Sequence, residues 1–128
     1  MFVKEEYIKD CGAIISIEFI DETRIRFDME NVLFEIQALG DCCSESWFET
    51  EDDFDNFNGN TIVNYLVEDI EMEDSNRQEY DQNKNYIFNL SNGEKFSIVL
   101  RNSSNGYYSG WIETPIFRLK YDNHNINK

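Results

Sequence analysis

A period of two is the feature that most constrains this chain. Ile15, Ile17 and Phe19 alternate with Ser16 and Glu18, and Ile25, Phe27 and Met29 alternate with Arg24, Arg26 and Asp28. Val32, Phe34, Ile36 and Ala38 follow after only Glu30-Asn31. Side chains two apart share one face of a strand, so each run reads as a half-buried β-strand. A two-residue turn at Glu30-Asn31 sets Met29 opposite Val32, Phe27 opposite Phe34 and Ile25 opposite Ile36, three apolar pairs on one face. Keeping the first run on that face needs an odd loop, which Asp21-Glu22-Thr23 supplies. Residues 12–39 therefore read as a three-stranded antiparallel meander.

The character changes at Gly40-Asp41-Cys42-Cys43-Ser44-Glu45-Ser46-Trp47. Ser44 or Ser46 suits a helix N-cap, and acids in a first turn suit the helix dipole. Trp47, Phe54 and Phe57 are spaced for one helical face, and Gly59 is a stop. This predicts one short helical segment of a turn or two, with the intervening acids outward. Thr61–Met72 begins apolar on both faces and ends acidic, as a strand leaving the interior does. Glu73–Lys84 reads as a loop. Tyr86, Phe88 and Leu90 then alternate, as do Phe96, Ile98 and Leu100, around Ser91-Asn92-Gly93-Glu94. A three-residue loop with Gly93 left-handed sets Phe88 opposite Phe96 and Tyr86 opposite Ile98, which keeps the aromatic set on one face. Arg101–Gly110 reads as a loop, and Trp111–Leu119 as a last strand placed at an edge by Pro115. The expected fold is α+β: a mostly antiparallel, twisted sheet of about six or seven strands, open to closure into a partial barrel, with one short helical segment. Residues 1–120 form one domain on this reading, and residues 121–128 a polar tail.

Charge bounds the partners. Twenty-six acids against eleven bases leave a net −15 over 128 residues. Such a field repels nucleic acid and anionic lipid and attracts basic proteins. The acidic N-terminal residues do not read as a signal peptide, and no run approaches the length of a membrane span. Three cysteines without a secretory signal point to reduced thiols in a cytoplasmic setting.

Gly40–Trp47, with its adjacent cysteines, and Asn102-Ser103-Ser104-Asn105-Gly106-Tyr107-Tyr108-Ser109-Gly110 resemble one family. It is a group of small domains of unknown function found in bacteria and their phages. The resemblance implies a small domain in which both motifs matter; for a phage or viral protein the expected cytoplasm is the host's. It brings no activity with it.

Cys42 and Cys43 form a candidate thiol site. A nucleophilic thiolate needs a cation, a histidine or a helix N-terminus to lower its pKa. The single histidine, His124, lies in the tail, and Asp41 works in the opposite direction. Three cysteines and that histidine do not make a tetrahedral zinc set. Buried thiols packed as small hydrophobes are the plainer reading. Acid pairs such as Asp52-Asp53 and Glu68-Asp69 lack the spacing of a calcium loop, and nothing singles out two carboxylates for acid/base work. No metal or cofactor site is expected.

Three functions follow. The first is a non-catalytic acidic module that binds a basic protein, an inhibitor or regulator docking on a nucleic-acid-binding protein's surface. Its contact set is Glu49, Glu51, Asp52, Asp53 and Asp55, with Glu68, Asp69, Glu71, Glu73 and Asp74 behind. Tyr107 and Tyr108 add amphipathic contacts of the kind found at interfaces. The second is an enzyme or redox switch at Cys42/Cys43. The third is a structural homo-oligomer that covers its edge strand.

Overall fold

The computed structural model describes residues 9–41, 44–70, 80–104 and 110–120. They form eight strands: β1 (Ile14–Asp21), β2 (Arg24–Met29), β3 (Val32–Gly40), β4 (Ser44–Glu49), β5 (Ile62–Ile70), β6 (Tyr80–Leu90), β7 (Lys95–Ser104) and β8 (Gly110–Leu119). The strands make two antiparallel four-stranded sheets, ordered β1-β2-β3-β8 and β4-β7-β6-β5. Among the described residues the helical geometry is limited to two 3-10 turns, Lys9–Cys11 and Phe54–Phe57. The α+β expectation is therefore corrected to all-β, with eight strands in place of six or seven and no α-helix among the described residues.

The meander forms in the register that its apolar pairs require. Ile25 faces Ile36 and Phe27 faces Phe34. Ile17 faces Phe27 and Phe19 faces Ile25. One expectation shifts at the start of β1. An irregularity between Ile14 and Ser16 turns Ile14 inward, 1% exposed, and leaves Ile15 49% exposed. At the second hairpin Phe88 faces Phe96 and Tyr86 faces Ile98. Gly93 sits there at φ 91, the left-handed conformation that this loop demands and that costs glycine least.

The core is largely aromatic. Phe27 stacks on Phe34 at 4.7 Å in one sheet, and Phe88 on Phe96 at 4.8 Å in the other. Phe27 meets Phe88 across the gap at 6.0 Å. All four are at most 1% exposed, and burial of each is worth about 1.5–3 kcal/mol. The Phe54–Phe57 turn packs both its rings on Phe96, at 5.4 and 5.3 Å, so it acts as a plug. Trp47 lies on the strand before it, outside the expected helical face.

Two corners tie the sheets together where closure into one barrel was an option. Ala13 bridges Thr61, and the Ile14 amide donates to the Asn60 carbonyl at 2.8 Å. On the other side the Phe48 amide donates to the Glu22 carbonyl at 2.7 Å, which binds β4 to the turn between β1 and β2.

Three segments depart from expectation, and each holds a polar side chain that pairs with another across strands: Ser46 with Asn102, and Asn83 with Arg101. Ser44–Glu49 is a strand because Ser46 is not a cap. Its Oγ donates to Asn102 Oδ1 at 2.8 Å and satisfies an amide only 2% exposed. Arg101–Ser104, expected in a loop, continues β7, with Arg101, Asn102 and Ser103 all buried. Tyr80–Lys84, also expected in a loop, continues β6 opposite Leu100–Ser104. At the end of β3, Gly40 pairs with Gly110. A Cβ on Gly110 would lie 2.1 Å from Ser46 Oγ and 3.1 Å from the Leu39 carbonyl, so only glycine lets β8 approach β4.

Candidate functional site

The outward face of the second sheet holds a polar row built by cross-strand pairing. Trp47 on β4 and Asn83 on β6 both lie opposite Arg101 on β7. Arg101 is 7% exposed, so its charge must be matched within the protein. Its Nε donates to Asn83 Oδ1 at 2.9 Å, and its Nη1 to both Glu49 carboxylate oxygens at 3.2 and 3.3 Å. The guanidinium carbon sits 5.4 Å from the Trp47 ring centroid, and Trp47 Nε1 donates to Glu49 Oε2 at 2.9 Å. The four side chains form one connected electrostatic unit.

Beside this row lies an open cleft of about 640 Å³, lined by Phe19, Glu49, Thr50, Glu51, Asp52, Asn85, Ser97 and Val99. Side chains prolong its β4 wall after the strand stops. Thr50 Oγ1 donates to the Ser97 carbonyl at 2.7 Å, and Asp52 Oδ2 accepts from the Ser97 amide at 2.8 Å. These two bonds continue the β4–β7 ladder one step beyond Glu49 and Val99 and fix the loop that carries the acids. Asp53 caps the following turn by accepting from the Asp55 amide at 3.2 Å. Deeper in, Asn85 Oδ1 is buried and has no hydrogen-bond partner. The lining is thus rich in acceptors, and a buried acceptor left unmatched costs about 1–3 kcal/mol.

A family model for a domain of unknown function, DUF7448, matches residues 9–114. The chain belongs to that family. The DUF7448 match takes in both tied sheets, the polar row and the cleft, and it stops at Thr114 within β8. An uncharacterized protein of Acanthamoeba polyphaga mimivirus is 48% identical over 81 residues, covering 61% of this chain and 64% of that protein. The chain therefore spans under two thirds of that relative's length. No solved structure matches the chain. Membership of a family of unknown function agrees with the expectation; the bacterial and phage setting and the two motifs are not shown by it, and the relative is viral.

For this DUF7448 domain, the structure sorts the candidate residues. Glu49, Glu51 and Asp52 converge on the cleft, while Asp53 and Asp55 are exposed beside it on the plug. Glu68 is exposed on β5, and Asp69 pairs with Lys84 Nζ at 3.0 Å. Cys42, Cys43, Tyr107, Tyr108, Glu71, Glu73 and Asp74 lie outside the described residues. The third cysteine, Cys11, is 3% exposed. Burial, helped by Asp10, pushes its thiol up to about 11, so it stays protonated at neutral pH. Among the described residues no group of three or more His, Cys, Asp or Glu could hold a metal ion. No helix among them is long and apolar enough to cross a membrane.

Sequence reasoning missed Asn83, Asn85, Ser97 and Arg101. A signal existed for Arg101. The alternation Phe96, Ile98, Leu100 extrapolates to Asn102 on the inner face, which puts Arg101 on the outer face of a strand rather than in a loop.

Proposed function

We propose that this domain is a non-catalytic acidic binding module whose cleft receives a lysine or arginine side chain from a basic protein. The observation that carries this reading is the buried, unmatched Asn85 Oδ1 in a cleft bordered by Glu49, Glu51 and Asp52. Acceptors without donors call for a donor, and a cationic donor satisfies both the amide oxygen and the carboxylates. The net −15 supplies long-range attraction to such a partner. A basic, nucleic-acid-binding surface is the partner class that this field suits. On this reading the domain acts as an inhibitor or regulator of such a protein in the host cytoplasm. Glu51, Asp53 and Asp55 form the exposed rim that guides encounter, and the cleft fixes the anchor.

The test is calorimetric titration with an arginine-rich peptide and with its citrulline counterpart, at roughly 50 and 500 mM salt. The arginine peptide should bind, weaken at least about tenfold at high salt, and lose most of its affinity to Asn85→Leu. The citrulline peptide should not bind. Salt-insensitive binding, or an N85L variant that binds as well as the wild type, would refute the reading.

A further inference from the structure

We propose that the cleft selects a guanidinium: its anchor is an arginine side chain of the partner, and a lysine of equal charge is a poor substitute. This rests on the reading above, that the cleft takes a cationic side chain. The domain holds an internal example of such a site one step along the same sheet. There Arg101 donates from Nε to Asn83 Oδ1 at 2.9 Å and from Nη1 to the Glu49 carboxylate oxygens at 3.2 and 3.3 Å. Two nitrogens of one side chain serve two acceptors that lie on different strands.

The cleft repeats that arrangement two residues along, without the arginine. Side chains two apart on a strand share a face, so the step from Arg101 to Val99 on β7 matches the steps from Asn83 to Asn85 on β6 and from Trp47 to Glu49 on β4. Val99 lies opposite both Glu49 and Asn85, as Arg101 lies opposite both Trp47 and Asn83. The next step from Glu49 leads to Glu51, exposed on the cleft wall. Thr50 and Asp52 hold that stretch to β7 by their bonds to Ser97, at 2.7 and 2.8 Å. Asn85 thus stands to Val99 as Asn83 stands to Arg101, and Glu51 follows as Glu49 does. Valine has no donor to offer them. Among the described residues Asn85 Oδ1 is buried without a hydrogen-bond partner, whereas Asn83 Oδ1 has its arginine.

The chemistry of that vacancy separates the two cationic side chains. A guanidinium presents its N–H donors in a rigid planar fork, so one arginine can repeat the two-nitrogen pattern across Asn85 and Glu51. An ammonium gathers its three donors on a single nitrogen. The guanidinium is also the more weakly hydrated cation, and its flat faces suit the apolar side of the cleft, Phe19 and Val99. Glu49 already serves Arg101 and Trp47, and Asp52 Oδ2 serves the Ser97 amide. Glu51 is the lining carboxylate left to answer an incoming charge.

Calorimetric titration of the full chain with the arginine-rich peptide, and with the same peptide carrying lysine at every arginine, tests this at constant charge. The lysine peptide should bind at least about tenfold more weakly. Val99→Arg puts a guanidinium of the chain's own between Asn85 and Glu51; it should abolish binding of the arginine peptide while the urea midpoint stays at or above that of the wild type. Glu51→Gln, at an exposed position, should cut the preference for arginine to within about threefold. Where V99R lowers the midpoint, E51Q decides alone. Equal binding of the two peptides overturns the selection of a guanidinium and leaves the cationic reading standing, whereas binding of neither removes both. A preference that survives E51Q, or full binding by a folded V99R, puts the recognition elsewhere and also overturns the proposal.

Discussion

Replacing Arg101 by methionine should reveal how the polar row is held. The substitution keeps most of the apolar stem and removes the guanidinium. Among the described residues three losses follow, of unequal size. Asn83 is 5% exposed, and its Oδ1 loses the Nε donor at 2.9 Å; a buried acceptor so orphaned costs about 1–3 kcal/mol. Glu49 loses its ion pair, but its side chain is 47% exposed and water replaces the arginine, so this loss is about 0–1 kcal/mol. The contact with the Trp47 ring adds about 0.5–1 kcal/mol. The sum is about 1.5–5 kcal/mol, a large part of the 5–15 kcal/mol typical of a domain. Urea unfolding followed by tryptophan fluorescence should show the midpoint falling with an unchanged slope. The companion variant is the double change Arg101→Met with Asn83→Leu. It removes the orphan, so it should be more stable than R101M alone by about 1–2 kcal/mol. Glu49→Gln should cost under about 1 kcal/mol, because its partner keeps Asn83 and the ring. If R101M costs under about 0.5 kcal/mol, or if the double variant is no more stable than R101M, the amide is not what makes the arginine necessary.

Two further outcomes follow from buried ionisable groups. Glu35 is 2% exposed and accepts from Arg24 and Arg26, both at 2.8 Å; Glu35→Gln leaves two apposed cations and should lower stability by about 2–3 kcal/mol, discounted because both arginines reach solvent. The Cys11 thiol, ordinarily at 9.0, is raised to about 11, so the unfolded chain ionises first. Stability is intact below pH about 9 and is lost by about 2 kcal/mol as pH climbs towards 11; Cys11→Val should flatten that limb in urea midpoints measured against pH.

What the sequence disclosed, and what it hid, divides along one line. Where faces are apolar and turns are tight, position alone sufficed: Met29-Glu30-Asn31-Val32 and Ser91-Asn92-Gly93 fix register through alternation and turn chemistry. Where strands bury polar groups against each other, alternation falls silent. Ser46 and Asn102 are both inward-facing, yet neither is apolar, so β4 read as a helix start and the end of β7 as a loop. Asn83 and Arg101 hide in the same way. The acids from Glu49 to Asp55 were visible as charge, but their division of labour was not. Asp52 and Asp53 are spent on backbone amides, Glu49 answers Arg101, and Glu51 and Asp55 are left to the surface. That division depends on partners as much as 52 positions away in the chain, as for Glu49 and Arg101.

The pairing of β3 with β8 has a consequence for how the molecule is made. Val32 must wait for Leu119, and Gly40 for Gly110, before the first sheet has its fourth strand. On the ribosome the opening meander therefore emerges with one flank bare and stays so while most of the remaining chain is synthesised. During that interval the net charge of −15 serves the nascent polypeptide, holding half-built copies apart until β8 arrives to cover that flank.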